Sequence, residues 1–420
     1  MGKTMTHMLA GIPPEQLAQL YFHQEIPTQR CCLRYFRITD SEVLRSVFTR
    51  RAGGRAFGTE DIDTTAAASR TDRGNLARVY RFSRRRTPLI YLLRNGMWFL
   101  GKWKTAALLK WAEDFRPDVV FFAAGDYAFS YHVTLSLAEY LHVPVVMWCA
   151  DDYYLSPARP HSLFQQLQCR HLRELARRAT EQSRAIVTIS DKMEEDYARL
   201  FGFPLQTVRI AADCNPYALP SAQRTGIVYA GNLGLNRIVP LAALGRALKR
   251  AALPGLPAID VYTGEQDPAI LRQVTEENGL HYCGSVSASE IERLLGRSRF
   301  LIITEAFDKK SARRTKYSLS TKIAESLCSG ACLLAYGPAQ IASIDYLQKH
   351  NAARILHSAD ELPAALQELN GRPDVYEQYV SAARELAAQC HEQKTNDAIM
   401  RGIFRKAIEN AALTQEELQK

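Results

Sequence analysis

The chain has 420 residues, 47% of them hydrophobic and 23% charged, and a formal net charge of +9. That length exceeds one ordinary core and suits two or three soluble globular domains. The composition gives no signal-peptide pattern and no apolar run of the ~20 residues that span a bilayer, and the nine scattered cysteines lack zinc-finger or thioredoxin spacing, so they read as reduced thiols, most of them core fillers.

Taken in order, the chain opens with "MGKTMTHMLAGIPPEQLAQLYF", a helix-like pattern where a doubly wound domain ordinarily opens with a strand. "GKT" is not a P-loop, because that motif needs an earlier glycine and a preceding strand. The expectation is a fold without its usual first N-terminal strand, either because it starts atypically or because the start of the gene has been set too late; the second is favoured. "CLRYFRI" (32–38), "DVVFFAA" (118–124), "PVVMWCA" (144–150) and "AIVTIS" (185–190) read as strands. "DVVFFAA" is a nearly continuous apolar run, as expected for a strand buried on both faces. Helical patterns lie between them, including 161–182 and a helix opened by Asp191 with Glu194 at capping-box spacing.

Residues 214–225, "CNPYALPSAQRTG" with its flanks, are polar and aperiodic, as in a linker. Alternation then resumes with "GIVYAG", a helix at 240–252, "AIDVYTG", a helix over "PAILRQVTEENG", "LHYCGSV", a helix over "SASEIERLLGRS" and the strand "RFLIITEAF". The reading is an α/β protein of two facing doubly wound, Rossmann-like domains. They occupy residues 1–213 and 226–385, joined by the linker and followed by a helical tail over 386–420.

The positive excess is local. Arg70, Arg73, Arg78, Arg81, Arg84, Arg85, Arg86, Arg94, Lys102 and Lys104 face only Asp72 and alternate with Tyr80, Phe82, Tyr91, Trp98, Phe99 and Trp103. An anionic membrane surface, a solvated loop before a core helix, and nucleic-acid phosphates all fit such a segment, but no nucleic-acid module accompanies it and no nucleic-acid partner is expected.

Three stretches carry chemistry. In "YSLSTKIAESLCSGACLLAYGP" (317–338), Ser318, Ser320 and Thr321 are N-cap residues for a short helix. Lys322 stands in the first turn, where the helix dipole disfavours a cation and a phosphate would explain it. Glu325 lies on the same face and can accept ribose hydroxyls. The bland alternative is an exposed ion pair. In "VYAGNLGLNR" (228–237), Gly231 and Gly234 allow close backbone approach, Asn232 lies between them, and Arg237 can grip a phosphate bidentately. An ordinary tight turn is the alternative. In "IITEAFD" (302–308) a strand ends in Glu305 and Asp308, followed by a basic loop that is either solvated or closes over a ligand.

In sequence order, "YAGNLGLNR", "DVYTGE", "LHYCGSVSASEIERLLGRSRFLIITEAFD" and "STKIAESLCSGACLLAYGP" resemble the donor half of retaining GT-B glycosyltransferases of the family-four type. "DVVFFAAGDYAF", "HVPVVMWCADDYY" and "AIVTISDKMEEDYARLFG" resemble the acceptor half. The resemblance implies GT-B architecture and a nucleotide-sugar donor with no metal or other cofactor. It puts Arg237 at the phosphate-binding lysine position, with Asn232 in place of a usual arginine. Lys322 and Glu325 match the family's Lys-x-x-Glu, so Glu325 takes the ribose. The family's first glutamate is replaced by Tyr317, and Glu305 is the substitute candidate. Asp151 and Asp152 fall where acceptor-side polar groups occur, and Asp126 is a weaker candidate; turn capping is their ordinary role. The implied activity is sugar transfer with retention to a glycan or lipid-linked acceptor, in cell-surface polysaccharide or glycolipid assembly. The implied location is cytoplasmic, peripheral on the inner face of the plasma membrane. A nucleotide-sugar epimerase of the same fold and an inactive membrane-associated assembly protein remain alternatives.

Overall fold

A computed structural model of the chain describes residues 2–27, 31–49, 53–62, 88–155, 163–182, 185–202, 204–256 and 258–419. Seven arginines of the basic segment, from Arg70 to Arg86, lie outside the described residues. The chain divides into two compact units. One comprises Met1–Thr188, Glu194–Val208 and Asp397–Lys420, the other Ile189–Met193 and Arg209–Asn396.

The first unit holds two sheets. β1 (Ala18–Tyr21), β2 (Arg34–Arg37) and β3 (Arg55–Gly58) form a mixed one, with β1 parallel and β3 antiparallel to β2. The opening stretch is therefore not helical throughout: a helix at Gly2–Met8 gives way, beyond Pro13 and Pro14, to strand β1. Proline at these positions removes amide donors and ends the helical register. β4 (Val120–Ala124), β5 (Val145–Cys149), β6 (Ala185–Thr188) and β7 (Gln206–Thr207) form a four-stranded parallel sheet in sequential order. Every residue of β5 is buried, as its continuous apolar run requires.

The helix Pro88–Leu100 explains part of the basic, aromatic segment. Trp98 is 1% exposed, stacks on Phe129 with centroids 4.2 Å apart, and donates its indole N–H to Asp40 at 2.8 Å. Arg94 donates to the same carboxylate at 3.0 Å and lies over the Tyr127 ring. Trp98 is thus a core residue, and Arg94 is half-buried and held by the same carboxylate. Leu92, Leu93, Phe99 and Leu100 face outward from the same helix.

The second unit is built on six parallel strands: β8 (Thr225–Ala230), β9 (Ile259–Tyr262), β10 (Leu280–Gly284), β11 (Ser298–Thr304), β12 (Cys332–Tyr336) and β13 (Arg354–Leu356). Their order is β10-β9-β8-β11-β12-β13. Side chains alternate between two cores. Ile227, Tyr229, Phe300, Ile302, Cys332 and Leu334 enter one; Val228, Leu301, Leu333 and Ala335 enter the other. Period-two alternation with both faces apolar is the condition for a sheet covered by helices on both sides. Winding runs outward in both directions from β8, so the switch point lies between β8 and β11, where such sheets bind ligands beyond the strands' carboxyl ends.

Two details differ from the sequence reading. "PAILRQVTEENG" is a short helix, Pro268–Leu271, and a separate turn, Glu276–Asn278. Asp267 caps the first and Thr275 the second, and these local bonds compete successfully with a continuous helix. Within the polar stretch 214–225, Arg224 is buried and donates to the carbonyls of Leu219, Ser298 and Ser329 at 2.7, 3.2 and 2.9 Å.

Candidate functional site

The site is assembled from two loops at the switch point. After β8 the chain makes the tight turn 231–237. Gly231 N donates to Tyr262 O at 2.8 Å, Tyr229 Oη donates to Asn232 O at 2.7 Å, and Gly234 N donates to the Asn232 side chain. The left-handed backbone falls on Leu235 and Asn236, with φ of 54° and 62°, not on the glycines. Gly231 has a different purpose. A Cβ there would lie 2.1 Å from Lys322 Nζ, so the missing side chain is the space the lysine amine fills.

After β11 the chain continues through Glu305 to Asp308. Glu305 is 2% exposed and receives Arg237 through two contacts, Nε to Oε2 at 3.2 Å and Nη2 to Oε1 at 3.0 Å. Asn236 Nδ2 donates to Asp308 at 3.0 Å, so the two loops are tied at adjacent residues. Asp308 also caps the helix Lys309–Thr315 by accepting Ser311 N at 2.9 Å. Part of the expected basic loop is thus helical. Gly337 leaves room for Glu305, whose Cβ would be 2.9 Å from a side chain at that glycine.

Electrostatics follow from this packing. Burial raises the Glu305 carboxyl above its ordinary range, although Arg237 and Lys322 both pull it down. Lys322 is lowered to about 8, first by burial and then by the Arg237 charge, with Glu325 and Glu305 opposing. Among the described residues its amine makes no hydrogen bond or ion pair. It lies over the Tyr229 ring, 5.9 Å from the centroid. A partly desolvated ammonium next to a guanidinium, with a ring face but no hydrogen-bonded oxygen upon it, is a costly arrangement unless an anion completes it.

The remaining sequence candidates fall as follows. Glu325 is exposed, on the same helix, Thr321–Leu327, and close enough to act on Lys322. Ser320 stands at the N-cap, but its hydroxyl makes no capping bond; its N–H donates to Ser343 Oγ at 3.2 Å. Thr321 is exposed. Tyr317, at the family's first-glutamate position, is buried, and its carbonyl accepts Ser190 Oγ at 2.7 Å. In the other unit, Asp152 Oδ1 accepts Tyr154 N at 3.0 Å, Leu155 N at 2.9 Å and Tyr197 Oη at 2.7 Å, the geometry of a loop cap. Asp151 is exposed and accepts Tyr153 Oη at 3.3 Å, and Asp126 accepts Tyr91 Oη. Sequence reasoning missed Asn236 and Gly337, whose contribution depends on neighbours distant in the chain.

Residues 45–212 match the profile of Glycosyltransferase Family 4. No curated protein matches the sequence. Among solved structures the chain is similar to sucrose-phosphate synthase from Thermosynechococcus elongatus, at 12% identity over 72% of this chain and 77% of that one, with a TM-score of 0.53. A glycosyltransferase from Rickettsia africae aligns at 12% identity over 77% and 83%, with a TM-score of 0.55. HepE of Anabaena, in complex with UDP, aligns at 15% over 71% and 80%, with a TM-score of 0.53. Likeness at these identities concerns the fold, which is that of GT-B glycosyltransferases. Fold and matched profile together define the class, a glycosyltransferase. The chain carries a Glycosyltransferase Family 4 domain over residues 45–212.

Proposed function

We propose that the Arg237–Lys322 site binds the diphosphate of a uridine diphosphate sugar and stabilises it as the leaving group of sugar transfer. The observation that carries this is the half-buried Lys322 amine, seated in the space left by Gly231 beside Arg237 and over the Tyr229 ring, with no hydrogen bond or ion pair among the described residues. Arg237, aimed by Glu305, and Lys322 supply two positive charges where negative charge develops as the glycosidic bond breaks. Glu325, one turn beyond Lys322, takes the ribose hydroxyls. Asn232, Gly234, Ser320 and Thr321 form the surrounding polar wall. The uridine assignment draws support from HepE, solved with UDP and with UDP-glucose. These protein cations can neutralise the diphosphate without a metal, and the reaction proposed is transfer with retention.

The acceptor proposed is a lipid-linked glycan of cell-surface polysaccharide or glycolipid assembly, met at an anionic membrane surface from the cytoplasmic side. Two features support this. Leu92, Leu93, Phe99 and Leu100 present apolar surface on one helix, with exposures of 51, 56, 83 and 70%. The sequence of 70–104 supplies the cations that such a surface attracts. Asp151 and Asp152 are the acceptor-side candidates. No described helix is long and apolar enough to cross a membrane.

Calorimetry on the full chain tests the donor site. UDP should bind, and Lys322→Ala should weaken it by roughly 10- to 100-fold, the effect of losing one hydrogen bond from a charged group. Unchanged affinity in both Lys322→Ala and Arg237→Ala would remove the site. Sedimentation with anionic vesicles tests the surface: binding that survives reversal of Arg84, Arg85 and Arg86 together would show that the arginine cluster is not the anchor.

A further inference from the structure

A second cluster of chemistry-bearing side chains lies at the free edge of the six-stranded sheet, on residues that the sugar-transfer site does not use. Strands β9 and β10 pair in parallel, with His281 directly opposite Asp260. Opposite residues in a ladder share a face of the sheet. Ile259 and Val261 point into the helix-covered core of the other face, so Asp260 and His281 point away from that core. The ladder then shifts register between Tyr282 and Gly284, leaving Cys283 as the extra residue. Bulges of this kind re-aim a side chain. Here the bulge brings the Cys283 sulfur to the same spot. A carboxylate oxygen of Asp260, a ring nitrogen of His281 and Cys283 Sγ all lie within 4.8 Å of one another.

The geometry points to a binding site for a zinc-class divalent cation, held by Asp260, His281 and Cys283 at the β9–β10 edge. Carboxylate, imidazole and thiolate together form the mixed hard, borderline and soft donor set that zinc accepts tetrahedrally and that magnesium and calcium do not. With metal–ligand bonds of about 2.0–2.3 Å, tetrahedral donors stand roughly 3.3–3.7 Å apart, so no pair of the three atoms needs to close by more than about 1.5 Å. They reside on one exposed edge, where side-chain rotation can supply that closure. A fourth group is already in position. Glu276, on the turn preceding β10, accepts His281 Nδ1–H at 2.7 Å. That contact fixes the ring and leaves Nε2 as the ligating nitrogen, the carboxylate–histidine support common to protein metal sites. His281 is exposed and Asp260 and Cys283 half-buried, so solvent reaches the position opposite the protein ligands. The bound cation would crosslink the short edge strand β10 to β9. It would also release the Cys283 thiol proton to solvent, since only the thiolate ligates.

Cobalt titration of the reduced, chelator-treated full chain tests this. The expected result is one equivalent of Co²⁺ giving thiolate-to-cobalt absorption and tetrahedral visible bands, displaced by Zn²⁺. Cys283→Ser should abolish the thiolate absorption, and His281→Gln should lower affinity by tenfold or more. Glu276→Gln should retain the thiolate band with affinity reduced about 10- to 100-fold. Cys214→Ser, which removes an exposed thiol elsewhere, should leave the spectrum unchanged. Circular dichroism confirms that each variant is folded, and UDP affinity measured on the same samples keeps this result separate from that of the donor site. Absence of thiolate absorption in the parent chain, or its persistence in Cys283→Ser, overturns the assignment.

Discussion

Lys322 and Gly231 share one volume: the lysine amine lies 2.1 Å from where a Cβ on residue 231 would be. Neither residue explains itself alone. Gly231 does not have the positive φ for which glycine is usually required, and Lys322 is a cation in the first turn of a helix. The loop after β8 and the helix after β11 are mutually fitted around a charge.

Gly231→Ala should therefore fold normally and bind UDP poorly. The backbone tolerates alanine, and the nearest obstructing atom is the end of a flexible side chain, so the lysine yields; the Tyr229 ring, 3.2 Å from the added Cβ, need give only by a few tenths of an ångström. The expected outcome is a thermal midpoint close to that of the parent and a UDP affinity reduced tenfold or more, both measured on the same preparation. Parental affinity in this variant would show that the seat of Lys322 is irrelevant to binding.

The depressed lysine also predicts how binding depends on pH. With its pKa near 8, Lys322 is mostly charged at pH 7 and loses its proton as pH rises through 8. A bound diphosphate favours the charged form and raises the pKa. Above pH 8, complex formation must therefore take up a proton, and affinity should fall by up to about tenfold per pH unit until the bound-state pKa is reached. Calorimetry at pH 8.5 in buffers of different ionisation enthalpy measures that proton. In Lys322→Arg, whose guanidinium stays charged, the uptake should vanish; uptake of the same size would assign the proton to another group.

What the sequence made legible follows from the range over which each signal acts. β5 and β11 were readable because a run of apolar residues buried on both faces is a local property. Lys322 stood out because its charge conflicts with its own helix, which is again local. By contrast, the purpose of Gly231 depends on a residue 91 positions later, and the pairing of Arg237 with Glu305 depends on β8 and β11 becoming neighbours. Arg94 and Trp98 were misleading for the same reason: their composition suited a membrane face, while Asp40, far upstream, binds both and holds them inward. The double proline at 13–14 was local and could have marked the end of the first helix before strand β1.

Glu305→Gln examines the partner of Arg237. The pair is 3.0 Å apart, and the carboxylate side chain is 3% exposed against 18% for the arginine. Neutralising one member leaves the other's charge largely buried without compensation, a loss of about 3–5 kcal/mol for a fully buried pair and less for this partly open one. In the complex the diphosphate supplies replacement oxygens. UDP should therefore raise the melting temperature of Glu305→Gln more than that of the parent, although the free variant melts lower. An equal or smaller ligand-induced shift would mean that Glu305 does not act on the anion site through Arg237.

His391 is 1% exposed, hydrogen-bonded to Ile210 O at 2.7 Å and to Tyr346 Oη at 3.1 Å. Burial lowers its pKa to about 4, from the ordinary 6.5. The unfolded chain thus binds a proton between those values that the folded chain refuses, and stability must fall as pH drops through that window. The difference between the two pKa values sets the size: about 2 kcal/mol lost by pH 5 and about 3 kcal/mol below pH 4. The Arg209 charge, which also opposes protonation of the imidazole, is part of that lowering. Urea unfolding at pH 7 and pH 5 measures the change, with His391→Gln as the control that retains hydrogen-bonding atoms and cannot titrate. The variant starts less stable at pH 7 but should lose less between the two pH values; an identical slope in both proteins would assign the acid sensitivity to other groups.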